Sequence, residues 1–246
     1  MKASVEAQLR LLELADLDAE LARLDHRRRG LPELAEYQRI EDRDTELGDE
    51  LTALEAAESD LRRELAKSEA DVEQVRSRVT RDQTRLDAGQ VSSPRELENL
   101  QSEIASLARR QSDLEEIELD VMERQETAQR RRATLTQERD ELARQRDEVA
   151  ARRDAALAEI GEQAEKAGSQ RAGVAAEVPD DLLGLYGKLR EQHGVGAAAL
   201  HGGRCEGCHL SLNTVDLARI RAAEPDEVLR CEECRRILVR TPESGL

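Results

Sequence analysis

Two cysteine pairs near the C-terminus are the residues of this chain whose types and spacing best suit chemistry. Cys205 and Cys208 form one Cys-x-x-Cys motif, Cys231 and Cys234 form a second, and the chain contains no other cysteine. Four thiolates that converge from two tight turns suit one tetrahedral zinc ion and leave no position open for water or a substrate. The two motifs therefore predict one structural zinc with these four residues as its ligands.

Two other uses of the cysteines compete with structural zinc. Cys205, Cys208 and His209 match the Cys-x-x-Cys-His pattern of haem attachment, but that use would leave the second pair idle, and nothing resembles an export signal. A redox or iron site also uses cysteine pairs, but the thioredoxin-like βαβ pattern is missing. Without an export signal we expect the cytoplasm, where thiols stay reduced and can bind metal.

The rest of the sequence shows no arrangement typical of an enzyme. It lacks Gly-x-Ser-x-Gly, a phosphate-binding loop and His-Glu-x-x-His. The other histidines are isolated and lack ligand spacing: His26, His193 and His201. We therefore expect no catalytic residue, no small-molecule cofactor and no enzymatic activity.

Composition indicates a helical rod with a narrow apolar seam. Trp and Phe are absent, Tyr37 and Tyr186 are the only tyrosines, and 37% of the residues are charged. No apolar run approaches the length of a membrane span, so we expect no membrane partner. A formal net charge of −16 argues against a protein that coats nucleic acid.

Heptad spacing supports the rod. From Tyr37 to Leu86, the positions that alternate by three and four residues are apolar at eleven of fifteen places. A second seam starts at Leu97, alternates by three and four residues as far as Val121, and continues from there at every seventh residue to Ala156. Two such seams in succession predict two helices that pack along their length.

The segment between the seams has the residues of a helix end followed by a helix start. Gly89 can end the first helix, while Ser93, Pro94 and Glu96 match a capped first turn. Because the connection is short, the helices should fold back antiparallel. We predict a coiled-coil hairpin over residues 1–178, with its tip near 89–93 and a kink at Gly30-Leu31-Pro32, residues 30–32.

The register of the hairpin follows from placing Leu86 opposite Leu97. This register predicts an ion pair between Asp44 and Arg139, and it brings residues near 9–24 alongside residues near 159–174. Four arginines share one seam position of the second arm: Arg132, Arg139, Arg146 and Arg153. In one interpretation, the aliphatic parts of these side chains cover the seam while their guanidinium groups pair with acids of the first arm. In the other, they form a basic stripe that binds RNA or an acidic protein. The first is favoured because no nearby aromatic residue offers a platform for base stacking.

Residues 179–246 are predicted to form a linking helix followed by a C4 zinc ribbon. Pro179 opens the helix, and Tyr186 within it is expected to be a packing residue. Short strands around the cysteines supply few apolar side chains, so zinc should provide the missing stability. The predicted fold class is mostly α: a long antiparallel coiled-coil hairpin and a small α+β zinc ribbon.

Four segments together resemble the bacterial C4-type zinc-ribbon, coiled-coil protein family: SPRELENLQSEI, VPDDLLGLYGKLR, GGRCEGCHLSL and VLRCEECRRIL. The resemblance spans essentially the whole chain and implies zinc at Cys205, Cys208, Cys231 and Cys234. It also implies adaptor or chaperone-like roles, with partners in transcription or export machinery and, in one branch, RNA. Arg235 departs from the family pattern, which has glycine after the last cysteine.

The main hypothesis is a non-enzymatic adaptor that binds a protein partner through the rod and the ribbon. The rival is RNA or DNA binding through the ribbon, with phosphates held by its arginines: Arg204, Arg219, Arg221, Arg230, Arg235, Arg236 and Arg240. Affinity that falls steeply with salt would distinguish the rival. The sequence leaves open whether the rod is a monomer or a homodimer.

Overall fold

The computed structural model describes residues 1–246 and consists of five α-helices and four short strands. The helices are α1 (Val5–Arg29), α2 (Pro32–Asp87), α3 (Pro94–Ala176), α4 (Asp180–His193) and α5 (Thr214–Ala222). The strands are β1 (Ala197–His201), β2 (Arg204–Cys205), β3 (Leu229–Arg230) and β4 (Ile237–Arg240). The predicted mostly α class, with a helical hairpin before a small ribbon, is confirmed. None of the helices combines the length and the apolar character needed to cross a lipid bilayer.

Helix ends lie at the turn residues of the sequence. Residues 30–31 separate α1 from α2, and residues 88–93 separate α2 from α3, with Gly89 in the left-handed region at φ +65°. The Ser93 hydroxyl accepts the Glu96 N–H at 3.2 Å. The Glu96 carboxylate, however, accepts from the Ser92 N–H at 2.9 Å and from the Ser92 hydroxyl, and these bonds lower its pKa. The first turn is therefore capped by Ser93 as expected, while the Glu96 carboxylate binds the N–H of Ser92 rather than that of Ser93.

Residues Glu36–Val149 form one compact unit, in which α2 and α3 run antiparallel. Its buried seam consists of aliphatic side chains from both helices: Ile40, Leu47, Leu61, Val72, Leu100, Leu114, Val121, Ala128, Leu135 and Val149. Arg139 donates through Nε and Nη2 to the two carboxylate oxygens of Asp44 at 2.7 and 3.0 Å. The predicted ion pair is confirmed, and with it the register of the hairpin.

The heptad-spaced arginines of α3 are paired with acids. Arg132 lies 3.3 Å from Glu58, and Arg146 lies 3.8 Å from Glu41, both on α2. Further along α3, Arg153 lies 2.7 Å from Asp154. These pairs support the reading of the arginines as partners of nearby carboxylates rather than as a basic stripe.

The other compact unit combines Met1–Ala35 with Ala150–Leu246. The boundaries between the two compact units therefore lie within α2 and α3. Within this unit α1 lies beside the last part of α3, where Leu24 and Leu31 pack against Ile160. This contact agrees with the predicted alignment of residues 9–24 with residues 159–174.

A four-stranded sheet carries the cysteine turns, in the order β2-β1-β4-β3. β1 and β4 are parallel, while the outer strands pair antiparallel with them. One face, with Ala197, Ile237 and Val239, packs against α1 and α4. The opposite face packs against Ile220 of α5 and against Cys205 and Cys231.

The expectation that the ribbon relies on a small core of its own therefore needs correction. Leu11 and Leu14 of α1 are buried in the same cluster as the sheet residues. The chain before α1 also reaches the ribbon, since the Ala3 N–H donates to the Asp226 carbonyl at 2.8 Å. Side chains from α1 thus complete the core on one face of the sheet.

Candidate metal centre

The two cysteine turns have the same backbone geometry. In the first, the His209 N–H donates to the Cys205 carbonyl at 2.7 Å; in the second, the Arg235 N–H donates to the Cys231 carbonyl at 2.9 Å. The return bonds also correspond, from the Cys205 N–H to the Leu210 carbonyl and from the Cys231 N–H to the Arg236 carbonyl. Each pair is therefore a rigid turn that presents two sulfurs on the same side.

The residue after each second cysteine adopts a left-handed backbone conformation. His209 has φ 60° and Arg235 has φ 62°, and they are the only non-glycine residues with positive φ. A Cβ atom in this region lies too close to the following carbonyl and costs about 1–2 kcal/mol. Of these two positions, the sequence pointed to Arg235, because it stands where the family pattern has glycine, but not to His209.

The four sulfur atoms are close enough to share one ion. All lie within 4.8 Å of one another, and both the Cys205–Cys234 and the Cys208–Cys231 sulfur distances are 3.9 Å. A tetrahedral ion with zinc–sulfur bonds of about 2.3 Å separates its sulfurs by about 3.8 Å. The arrangement fits one zinc ion with four thiolate ligands, and one structural zinc is the cofactor of this fold.

The thiols differ in how readily they ionise before metal binds. Burial raises the pKa of Cys205 to about 12 and also raises the pKa of Cys231. Burial acts in the same direction on Cys234, but bonds from the backbone and side chain of Arg236 and from neighbouring thiols outweigh it and lower its pKa to about 7. Because zinc binds thiolates, metal binding must displace protons and weakens as the pH falls.

Arg236 connects the second turn to the first and to the end of α4. Its guanidinium donates to the carbonyls of His193 (3.0 Å), Val195 (3.2 Å) and Gly207 (3.0 Å). A Cβ added at Gly207 would lie 2.9 Å from both the Cβ of Ala198 and the Cδ of Arg236, so only glycine fits. Sequence reasoning missed this role because Arg236 looked like one surface arginine among many.

The ribbon arginines proposed as phosphate contacts mostly have other partners. Arg236 donates to three backbone carbonyls. Arg240 donates to carbonyls at the end of α5, including that of Ala223 at 2.8 Å. Glu232 lies 2.6 Å from Arg219 and 3.2 Å from Arg235. Arg204 lies 3.7 Å from Glu206, and Arg230 donates to the carbonyl of Arg235. Of the seven arginines, Arg221 alone has neither an ion pair nor a hydrogen bond from its side chain. This surface does not present a set of free cations.

A buried ionic cluster lies where α1, α3 and α4 meet. The Asp18 side chain is fully buried, accepts hydrogen bonds from Arg171 (2.6 Å) and the Tyr186 hydroxyl (2.7 Å), and forms an ion pair with Arg190 (2.9 Å). Burial, followed by the bond to Asp18, raises the pKa of Tyr186. Tyr186 is thus the packing residue that the sequence predicted. Asp18 was missed, because an acid in a charged helix ordinarily faces solvent.

Two family models match the chain. A model for CT398-like coiled-coil hairpin domains matches residues 14–194, and a model for C4-type zinc ribbon domains matches residues 204–238. A Mycobacterium tuberculosis protein is 40% identical over 240 residues, covering 98% of each chain. A Mycobacterium leprae protein is 31% identical over 232 residues, covering 94% of this chain and 95% of the other.

Solved structures show the same architecture. A Mycobacterium smegmatis structure has a TM-score of 0.84 at 37% identity and covers 98% of this chain and 100% of its own. The structure of CT398 from Chlamydia trachomatis has a TM-score of 0.73 at 18% identity, with 96% and 98% covered. At that lower identity the likeness to CT398 concerns the fold alone.

Proposed function

We propose that this chain, which belongs to the CT398-like coiled-coil hairpin proteins with a C4-type zinc ribbon, is a non-enzymatic adaptor that binds other proteins. The observation that carries the proposal is the closed sulfur cluster. Cys205, Cys208, Cys231 and Cys234 would fill all four tetrahedral positions and leave none for a reacting water. Zinc, when bound there, supplies folding energy to the ribbon.

Exposed apolar side chains on the ribbon support a binding role. Leu210 follows the first cysteine turn and Val215 lies in the first turn of α5, and both are solvent-exposed. Large apolar side chains at the surface of a rigid module are typical of protein contacts when they cluster. Zinc and α1 would thus hold the ribbon rigid, while Leu210 and Val215 contact the partner protein.

The partner class and the compartment are part of the proposal. The resemblance noted in the sequence favours a partner from transcription or export machinery. Thiol ligands need a reducing environment, which favours the cytoplasm. We favour a protein partner over RNA or DNA because most ribbon arginines already bind carbonyls or acids of the chain.

The proposal can be tested by crosslinking the intact, tagged protein in cells and identifying the bound proteins and RNA. The substitutions Leu210→Ser and Val215→Ser together should remove the principal protein partner. A matched control is Leu34→Ser, which changes an exposed leucine on α2. Deleting residues 179–246 is a poorer test, because it would also expose the buried side chains of α1.

Three results would decide against the adaptor role or its ribbon surface. No protein partner crosslinked to the wild-type chain would overturn the role. Equal partner recovery from the Leu210/Val215 variant would overturn the proposed surface. Recovery of RNA or DNA alone, with affinity in vitro that falls steeply as salt rises, would favour the rival function instead.

A further inference from the structure

Leu119 and Met122 form an exposed apolar pair on α3, within the Glu36–Val149 unit. Leu119 is 59% exposed and Met122 is 42% exposed. Residues three apart on a helix lie side by side on the same face, so the two side chains make one continuous apolar surface. The buried seam of the hairpin uses neighbouring residues Leu114 and Val121, and it leaves this pair uncovered.

The helix segment that carries this pair is acidic. Residues 111–123 contain six acids and no Lys or Arg. Only Glu115 pairs across the hairpin, with Arg76 at 3.1 Å, and Asp120 has a more distant partner on its own helix. The remaining four acids of the segment lie within ion-pair distance of no cation: Asp113, Glu116, Glu118 and Glu123.

A second acidic stretch in the same unit is paired more completely. Residues 44–61 of α2 contain seven acids and no Lys or Arg. Six of the seven have a cation within ion-pair distance, including Glu50 with Arg131 at 2.8 Å and Asp44 with Arg139 at 2.7 Å. The acids of this stretch are thus mostly paired by the chain itself, whereas four of the six around Leu119 are not.

The geometry combines the apolar pair with the unpaired acids. Glu116 and Glu123 lie three residues before and four residues after Leu119, so both border it on the helix surface. We infer that the face formed by Leu119, Met122, Glu116 and Glu123 docks a cationic amphipathic helix of a partner protein. Apolar side chains of that helix would cover Leu119 and Met122, while its Lys or Arg residues would pair with the two glutamates.

Charge selects this occupant over other macromolecules. The unit Glu36–Val149 contains 31 acidic and 19 basic residues, a balance of −12. This field repels nucleic acid and anionic membrane surfaces, and it also disfavours a second copy of the same acidic face. A helix with an apolar stripe bordered by cations complements both features, because helix-in-groove recognition uses apolar anchors at such spacings.

A labelled synthetic peptide tests the inference with the zinc-loaded, full-length protein. The probe is an 18-residue helix of Leu, Lys and Ala with leucines at helical spacing, and its control is a scrambled peptide of identical composition. The double variant Leu119→Ser/Met122→Ser should bind the probe at least about tenfold more weakly, since two apolar contacts are lost. Glu116→Gln/Glu123→Gln should also bind more weakly and respond less to salt.

A matched control comes from the opposite flank of the same helix. Ile117 is 50% exposed and lies in the same acidic segment, but it is about 200° around the helix from Leu119. Ile117→Ser should leave probe affinity unchanged. Equal binding of the scrambled peptide, equal weakening by Ile117→Ser, or wild-type affinity in the Leu119/Met122 variant would each overturn the inference.

The inference rests on the proposed adaptor function, and the two fail in different ways. The peptide titrations decide whether this face docks a cationic helix. Crosslinking in cells decides whether the protein has protein partners. If the wild-type chain keeps its crosslinked partners but the peptide shows no preference for this face, the docking face is wrong and the adaptor function stands.

Discussion

Backbone strain at the cysteine turns comes from single residues. Arg235 holds φ at 62° although its side chain makes only an exposed contact with Glu232. Glycine tolerates this conformation without a Cβ penalty. Arg235→Gly should therefore stabilise the zinc-loaded protein by about 1 kcal/mol, measured as a higher urea midpoint and slower loss of zinc to a chelator.

Alanine separates backbone strain from the effect of the charge. Arg235→Ala also removes the guanidinium but keeps a Cβ atom in the left-handed region, so it should give no gain. A gain from alanine as large as that from glycine would show that the guanidinium, and not the backbone, limits the stability of the turn.

A second effect at the scale of single residues concerns Asp18. Its carboxylate is fully buried and holds two guanidinium groups and the Tyr186 hydroxyl. Asp18→Asn would leave Arg171 and Arg190 without a counter-charge in a partly buried site. We expect the free energy of unfolding to fall by about 3 kcal/mol, measured by urea denaturation followed by circular dichroism.

Tyr186→Phe is the control for this cluster. It removes one hydrogen bond to Asp18 but keeps the ring in the core, and should cost only about 1 kcal/mol. If the phenylalanine variant lost as much stability as Asp18→Asn, the ring environment rather than the carboxylate would be responsible.

At the scale of elements, the Asp44–Arg139 pair sets how α2 and α3 align. Bonds from Arg139 lower the pKa of Asp44. A lowered carboxyl pKa stabilises the fold above the pKa of the unfolded chain, and this contribution is lost as the pH falls through the lower, folded value. Each single change, Asp44→Asn or Arg139→Gln, should cost about 1 kcal/mol at pH 7.

The double variant Asp44→Asn/Arg139→Gln measures the coupling. It should lose less stability than the sum of the single losses, and the difference between Asp44→Asn and the wild type should shrink as the pH is lowered into the acid range. Additive losses that do not change with pH would mean that the pair does not stabilise the hairpin.

Which elements could be predicted depends on whether their signal is local. The heptad seams predicted α2 and α3 because each seam repeats over many turns, and placing Leu86 opposite Leu97 across the short connection sufficed for the register. The packing of Leu11 on the sheet that carries Ile237 could not be predicted, since no periodicity links residues so far apart. Asp18 was equally hidden, because burial of one acid among many depends on the tertiary fold.

The zinc site shows the same division. Cysteine spacing was sufficient to predict that the four sulfur atoms converge within the distance that one ion can bridge. The contacts of Arg236 with the carbonyls of His193 and Gly207 depend on how the turns pack, and the sequence contains no trace of them. Spacing therefore reveals which thiols come together, but not the contacts that orient them.

At the scale of the whole molecule, zinc should stabilise only one of the two compact units. The sulfur cluster lies in the unit made of Met1–Ala35 and Ala150–Leu246, where the sheet shares its core with α1 and α4. On chelation, hydrogen exchange should accelerate across residues 195–246 and also in residues 1–15, because the sheet that covers α1 loosens. Residues 36–149 should keep their protection, since the seam of α2 and α3 does not involve the ion.

Acidification should reproduce this pattern without a chelator. Protons compete with zinc for the thiols, and burial raises the pKa values of Cys205 and Cys231, so zinc is released as the pH falls. Elemental analysis should give one zinc per chain at pH 7 and progressively less at lower pH.

Two outcomes of the chelation experiment would contradict this account of the two units. Accelerated hydrogen exchange confined to residues 195–246, with residues 1–15 unchanged, would contradict the shared core. Equal acceleration in residues 36–149 would contradict the independence of the hairpin unit.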